Sequence, residues 1–139
     1  MINFKIYDTL PKDAVFIRKK VFVEEQGFKD EFDDLDLDAR HIVLYIENEP
    51  AATLRYFWDE INNSYVAGRI VVLKEFRGKS FGAAVLKEAE KLIKNLGKDK
   101  LMLAAQVRAK GFYEKQGYRA FGEKFLEEYC PHIWMCKKL

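Results

Sequence analysis

The chain has 139 residues, a length that suits one domain spanning residues 1–139. Apolar residues make up 49% and aromatics 14%, which excludes a disordered chain, and no apolar run approaches the ~18 residues needed to cross a membrane. The formal net charge is only +2, yet Glu24, Glu25, Asp30, Glu31, Asp33, Asp34, Asp36 and Asp38 crowd one short stretch against Lys29, so the rest of the chain is basic.

Residues 2–7, Ile2-Asn3-Phe4-Lys5-Ile6-Tyr7, alternate apolar and polar and read as a strand. This opening lacks the layout of a signal peptide, which points to a cytoplasmic protein. Pro11 stands at a helix start, where its missing N–H costs least. Ala14, Ile17, Val21 and Phe22 follow at helical spacing, and Gly27 ends that helix. The acidic segment 28–38 reads as a loop with a short helical turn. It is either a solvated acidic surface or a funnel for a cationic substrate. Residues 41–47, 51–58 and 65–73 read as three successive strands, with turns at Asn48-Glu49-Pro50 and Glu60-Ile61-Asn62-Asn63. After residue 82, Val85, Ala89, Leu92, Ile93 and Leu96 form one helical stripe, closed by Gly97. Leu101 to Ala105 is a buried strand by composition. A short helix covers about Arg108 to Gln116 and stops at Gly117, and residues 118–125 and 131–137 supply the last two strands. This order predicts an α/β (α+β) fold: a mixed, mostly antiparallel sheet of about six or seven strands with helices on both faces.

Two cysteines, Cys130 and Cys136, read as free thiols, with Cys136 in the core. With two histidines they are too sparse for a metal site. No basic stripe interleaves with aromatics, so nucleic acid is not an expected partner.

Residues 69–82 carry the most chemistry. The apolar run Arg69-Ile70-Val71-Val72-Leu73 leads to Arg77-Gly78-Lys79-Ser80-Phe81-Gly82, and the amphipathic helix starts at Ala83. A strand, a glycine-containing turn and a helix N-terminus with unpaired N–H groups make an anion cradle suited to a pyrophosphate. The spacing matches neither the dinucleotide fingerprint nor the nucleoside-triphosphate loop.

The Arg77–Gly82 window resembles the cofactor motif of the GCN5-related N-acetyltransferases, with Ser80 where that family has its middle glycine. Gln106-Val107-Arg108-Ala109-Lys110-Gly111-Phe112-Tyr113, then Gly117-Tyr118, is similar to the family's second conserved segment. Arg18 to Gln26, the acidic run and Ala39-Arg40-His41 resemble the small bacterial proteins described as ElaA-like or YjcF-like. The likeness spans nearly the whole chain. It implies an acetyl-CoA-dependent N-acetyltransferase acting on a primary amine, a cationic small molecule or a lysine side chain. It implies acetyl-CoA against Val71, Val72, Leu73, Arg77, Gly78, Lys79, Ser80, Phe81, Gly82 and Ala83, with Gln106, Ala109 and Phe112 also in contact. Tyr113 is then placed to protonate the departing CoA sulfur. An alkylammonium acceptor must first lose a proton; Glu25 is the first candidate base and His41 the second. Salt bridges or capping are equally open to both. Arg18, Gln26 and Arg55 are candidates for the acceptor pocket, the two arginines being alternatively partners of the acidic loop. Family members are often homodimers. Two other readings stay open: an acyl-CoA-binding sensor with little catalysis, and an acyltransferase related to acyl-homoserine lactone synthases.

Overall fold

A computed structural model describes all residues 1–139. It contains one seven-stranded sheet built from β1 (Ile2–Tyr7), β2 (Arg40–Ile46), β3 (Glu49–Asp59), β4 (Ser64–Val72), β5 (Lys100–Gln106), β6 (Arg119–Glu127) and β7 (Cys130–Lys138). The strand order is β1-β2-β3-β4-β5-β7-β6. All pairings are antiparallel except β4–β5, which is parallel and needs a crossover helix. That helix is α3 (Phe81–Asn95). No helix is long and apolar enough to cross a membrane.

The two faces of the sheet carry separate cores. On one face, Val85, Leu86, Ala89 and Ile93 of α3 are fully buried against Ile42, Leu54, Leu101 and Leu103. Each such side chain contributes roughly 1.5–3 kcal/mol by leaving water. Leu86 belongs to the buried stripe, whereas Leu96, expected there, is 57% exposed. It occupies the last turn, where Gly97 at φ +82° reverses the chain and Lys98 N–H bonds the Ile93 carbonyl at 3.3 Å. The same closure ends α4 (Lys110–Lys115): Gly117 takes φ +97°, and Tyr118 N–H reaches the Tyr113 carbonyl at 3.0 Å. A 3₁₀ turn, Val107–Ala109, precedes α4 and replaces the expected first helical turn.

On the opposite face, α1 (Lys12–Arg18) buries Ala14 and Ile17 against Val43, Tyr45 and Leu73. The helix does not run on regularly to Gly27. It widens into a π-helix over Lys19–Glu25, with Gln26 N–H bonding the Val21 carbonyl five residues back. The acidic segment includes one short helix, α2 (Leu35–Asp38).

The first hairpin turns at Glu47 and Asn48, both at positive φ, rather than at Asn48–Pro50. Glu49 and Pro50 lie within β3, and Pro50 is tolerated beside a bulge where the β2–β3 register shifts. The last hairpin is longer than its sequence pattern, because β6 and β7 extend to a turn at Glu128-Tyr129. Both cysteines are free thiols, but Cys136, expected in the core, is only half-buried, and it is Cys130 that is buried in the α1-side core.

Candidate active site

The site arises where two parallel strands part. β4 and β5 pair only over Tyr65–Ala67 and Leu101–Leu103. Beyond them the strands splay and leave one edge of β4 open. The register of β3 against β4 also shifts there, with Arg69 at φ +52° as an extra residue. Such a bulge bends a strand and re-aims its polar groups. Beyond the bulge, Leu73 N–H is paired with the Ala51 carbonyl at 2.9 Å. Alternation along the strand therefore turns Val71 toward β3 and the N–H and C=O of Ile70 and Val72 toward the splay. The Val72 carbonyl accepts Arg77 Nε at 3.0 Å, as that direction requires.

Around this splay runs a cleft of about 1280 Å³. Of the expected donor-binding residues, Val71, Val72, Arg77, Gly78, Ser80, Phe81 and Gly82 line it from the β4–α3 side. Gln106, Ala109, Phe112 and Tyr113 line it from the β5–α4 side. Leu73, Lys79 and Ala83 lie outside its walls. Leu73 is 5% exposed in the α1-side core with its N–H already bonded, so it has nothing to offer a ligand. Ile70 is the residue that sequence reasoning missed, since the bulge that turns its N–H outward has no local signature.

Gly78 and Ser80 both adopt left-handed backbone, at φ +81° and +64°. Alternating handedness aims successive N–H groups into a concavity, continuous with the free N–H groups at the start of α3. Glycine holds such a conformation freely; Ser80 does so at a cost of about 1–2 kcal/mol, a strain typical of ligand clamps. Gly82 is small for a different reason. A Cβ there would stand 3.4 Å from the Phe112 ring and 3.7 Å from a Val72 methyl, across the slot between the two walls.

Tyr113 is 8% exposed, and burial raises its phenol well above the ordinary value, so it keeps its proton at neutral pH. Glu25 is not part of the lining. Its carboxylate grips Arg77 through two hydrogen bonds of 2.9 and 3.1 Å, tying the end of the π-helix to the glycine turn. Gln26 is tied to the other wall: Gln106 Nε2 donates to Gln26 Oε1 at 2.9 Å, and Arg108 Nε donates to Gln106 Oε1 at 2.7 Å.

Two expected site residues are elsewhere. Arg18, only 1% exposed, does not reach the cleft. It donates to Asp36 at 2.8 and 3.0 Å and to Glu31 Oε2 at 2.9 Å. His41, also 1% exposed, donates Nε2–H to the Asp36 carbonyl at 3.1 Å. Burial lowers its pKa and keeps it neutral, but sealed from the cleft it cannot meet an acceptor amine. Arg55 touches the cleft, yet its guanidinium is held by Asp33 at 2.6 Å and Asp36 at 2.9 Å. Arg69, on the bulge, pairs with Glu31 at 3.1 Å and Asp33 at 3.3 Å. Glu31, Asp33 and Asp36 of the acidic segment thus serve as counter-charge for three arginines rather than as an open funnel.

The lining of the cleft also carries aromatic and acidic groups, with Trp134, Glu127 and Glu128 near the β6–β7 turn and Phe57, Trp58 and Glu60 near the β3–β4 turn. His132, 5% exposed, also lines it. In β7 the alternation sets His132 and Trp134 on one face and the core residues Ile133 and Met135 on the other. That pattern is visible in the sequence; which face meets the cleft is not.

Known proteins agree with this geometry. Residues 8–139 match the acetyltransferase (GNAT) domain. The chain is 37% identical over 129 residues to YjcF of Bacillus subtilis, an uncharacterized N-acetyltransferase, covering 91% of each protein. Its fold is similar to that of Escherichia coli ElaA, with a TM-score of 0.84 and 27% identity over 99% of both chains. An Elizabethkingia anophelis GNAT acetyltransferase with acetyl-CoA bound has the same fold at 18% identity, with a TM-score of 0.75 over 99% of this chain and 98% of that one. A parallel strand pair splayed beside a helix N-terminus, and a domain match over nearly the whole length, establish that this chain belongs to the GNAT family of acetyltransferases.

Proposed function

We propose that this acetyltransferase moves the acetyl group of acetyl-CoA directly to a primary amine, carried by a cationic small molecule or a lysine side chain. The observation that carries the reading is the open edge of β4 running into the N-terminus of α3. It sets peptide groups without a strand partner beside an anion cradle. Those two features match the two ends of an acyl-CoA, an amide-bearing arm and a pyrophosphate.

The pyrophosphate would rest on the N–H groups of Gly78 to Gly82, and the pantetheine amides on Val72. Bound acetyl-CoA supplies an activated acyl group as a thioester. Ile70 N–H is the donor placed to hold the thioester oxygen as it gains charge, an interaction worth ~3 kcal/mol in comparable oxyanion sites. Tyr113, kept neutral by burial, gives its proton to the departing thiolate. Glu25 and Arg77 fasten the π-helix to the cradle and so couple donor and acceptor walls. A cationic acceptor is favoured by the Trp134 ring face and the carboxylates of Asp30 and Glu127 on the lining.

Release of free thiol from acetyl-CoA, followed over a panel of amines, tests the reading. Lysine peptides or alkyl polyamines are expected to give the highest kcat/KM. Binding of acetyl-CoA with no turnover over the whole panel would favour a sensor, and an acidic acceptor as the best substrate would overturn the charge argument.

A further inference from the structure

The group that accepts the amine's proton is the missing part of this chemistry. Glu25 is engaged by Arg77, and His41 is sealed behind Asp36. We infer that His132, oriented by the Cys130 carbonyl and faced by Glu127, is the general base that deprotonates the acceptor ammonium. This assignment rests on the amine-acetylation reading and deepens it.

Four observations converge on His132. The ring lines the cleft beside Glu127 although it is only 5% exposed, which is the setting of a group reached by ligand rather than by bulk water. Its Nδ1 lies 2.9 Å from the Cys130 carbonyl, which can only accept, so Nδ1 carries the hydrogen and Nε2 keeps a free lone pair. Nε2 in turn lies 3.5 Å from Glu127 Oε2, close enough for the carboxylate to stabilise an imidazolium once it forms. Phe125 stacks on the ring at 5.9 Å and fixes its plane. A tautomer locked on one side, a lone pair on the other and a carboxylate beside it are the parts of a proton acceptor. Other charged groups of the same cleft are Glu128 of the hairpin turn, Asp30 and Glu31 of the acidic segment, Arg55 and Asp59 of β3, Glu60 after it, Arg69 of β4, Arg77 of the glycine turn and Arg108 after β5. Of these, Glu128 is tied to the Lys29 and Asp30 amides, and Glu31 to arginines.

The steps balance. R–NH₃⁺ gives one proton to His132 Nε2, and the imidazolium later returns it to solvent. The free amine attacks the thioester carbon, forming the C–N bond, and the C–S bond breaks as the tetrahedral intermediate collapses. The second N–H proton of the former amine replaces the one Tyr113 gives to the CoA thiolate. The products are an acetamide, CoA thiol and one released proton.

The test is the pH profile of kcat/KM for an alkylamine acceptor, measured with wild type, His132→Asn and Glu127→Gln. Asparagine retains a donor where Nδ1 sits and so keeps the bond to the Cys130 carbonyl, but it lacks Nε2. Wild type should show a limb that rises with pH, the mark of a base that must be free of its proton. His132→Asn should lose that limb and about a hundredfold or more in kcat/KM, with the acetyl-CoA KM and melting temperature unchanged. Glu127→Gln should move the limb to higher pH if the carboxylate opposes the imidazolium, and to lower pH if it stabilises it; the account requires lower. Wild-type turnover with an unimpaired His132→Asn overturns the assignment alone. Wild type that acetylates no amine overturns the parent reading and the assignment together. If His132→Asn melts early, an unshifted limb in Glu127→Gln overturns the proposal on its own.

Discussion

The role proposed for Tyr113 rests on its surroundings. Burial lifts its phenol above the ordinary value, which removes it as a base and leaves it a donor throughout the neutral range. Tyr113→Phe removes the proton and keeps the ring, so kcat should fall about a hundredfold, while acetyl-CoA affinity stays nearly constant. A collapse of affinity in that variant would mean the ring packs the cleft and the hydroxyl does no chemistry. The place of Tyr113 on the cleft wall was legible in the sequence because it follows Phe112 in a recognisable segment. The burial of His41 was not, since a histidine at the start of an apolar strand carries no mark of which face it will occupy.

At the scale of elements, the decisive feature is the mismatch between β4 and β5. Both strands were legible from their apolar runs, and α3 from its stripe and glycine stop. The extent of their pairing was not legible: β4 holds to β5 for three residues and then leaves it, because the bulge at Arg69 bends the strand. Nothing in Gly68-Arg69-Ile70 announces a non-glycine residue at φ +52°. The π-helix after α1 was equally hidden, since Val21 and Phe22 suit regular helix as well as the wider turn that brings Glu25 to Arg77. Gly82 belongs to this scale too, as the point where α3 meets the two walls of the slot. Gly82→Val sets branched methyls between Phe112 and Val72, within reach of both. It should abolish donor binding while costing little in fold stability, since residue 82 lies in ordinary helical backbone on the cleft side.

At the scale of the whole molecule, a buried ion network holds the acidic segment over one end of the sheet. Arg18 and Arg55 converge on Asp36, itself 5% exposed. Burial alone would raise the Asp36 carboxyl; hydrogen bonds and charge from the two arginines outweigh it and hold the carboxyl down at about 2. A carboxyl depressed in the folded state stabilises the fold above its unfolded value and ceases to do so as pH falls through the folded one. Its contribution, roughly 2 kcal/mol, should therefore be complete above about pH 4 and disappear toward pH 2. Asp36→Ala leaves two guanidinium groups short of a counter-charge in the interior, and urea unfolding should record a loss of about 3–5 kcal/mol at pH 7. A loss below 1 kcal/mol would show that water reaches the network. The acidic run was conspicuous in the sequence, but its arginine partners come from α1, β3 and β4. Only the fold brings them together and converts an apparent substrate funnel into a structural anchor.

The central claim is that the splay between β4 and β5, continuous with the N-terminus of α3, holds an acyl-CoA. Thermal unfolding of wild type and Gly82→Val, each with acetyl-CoA, CoA or NAD, tests it most directly. A ligand at a hundred times its dissociation constant adds about 2.7 kcal/mol, a rise of several degrees for a chain of this length. The account predicts that rise for wild type with acetyl-CoA and CoA, none with NAD, and none for a folded Gly82→Val with any of the three. Equal stabilisation of both proteins by acetyl-CoA would contradict it, because the donor would then bind somewhere other than the slot that Gly82 keeps open.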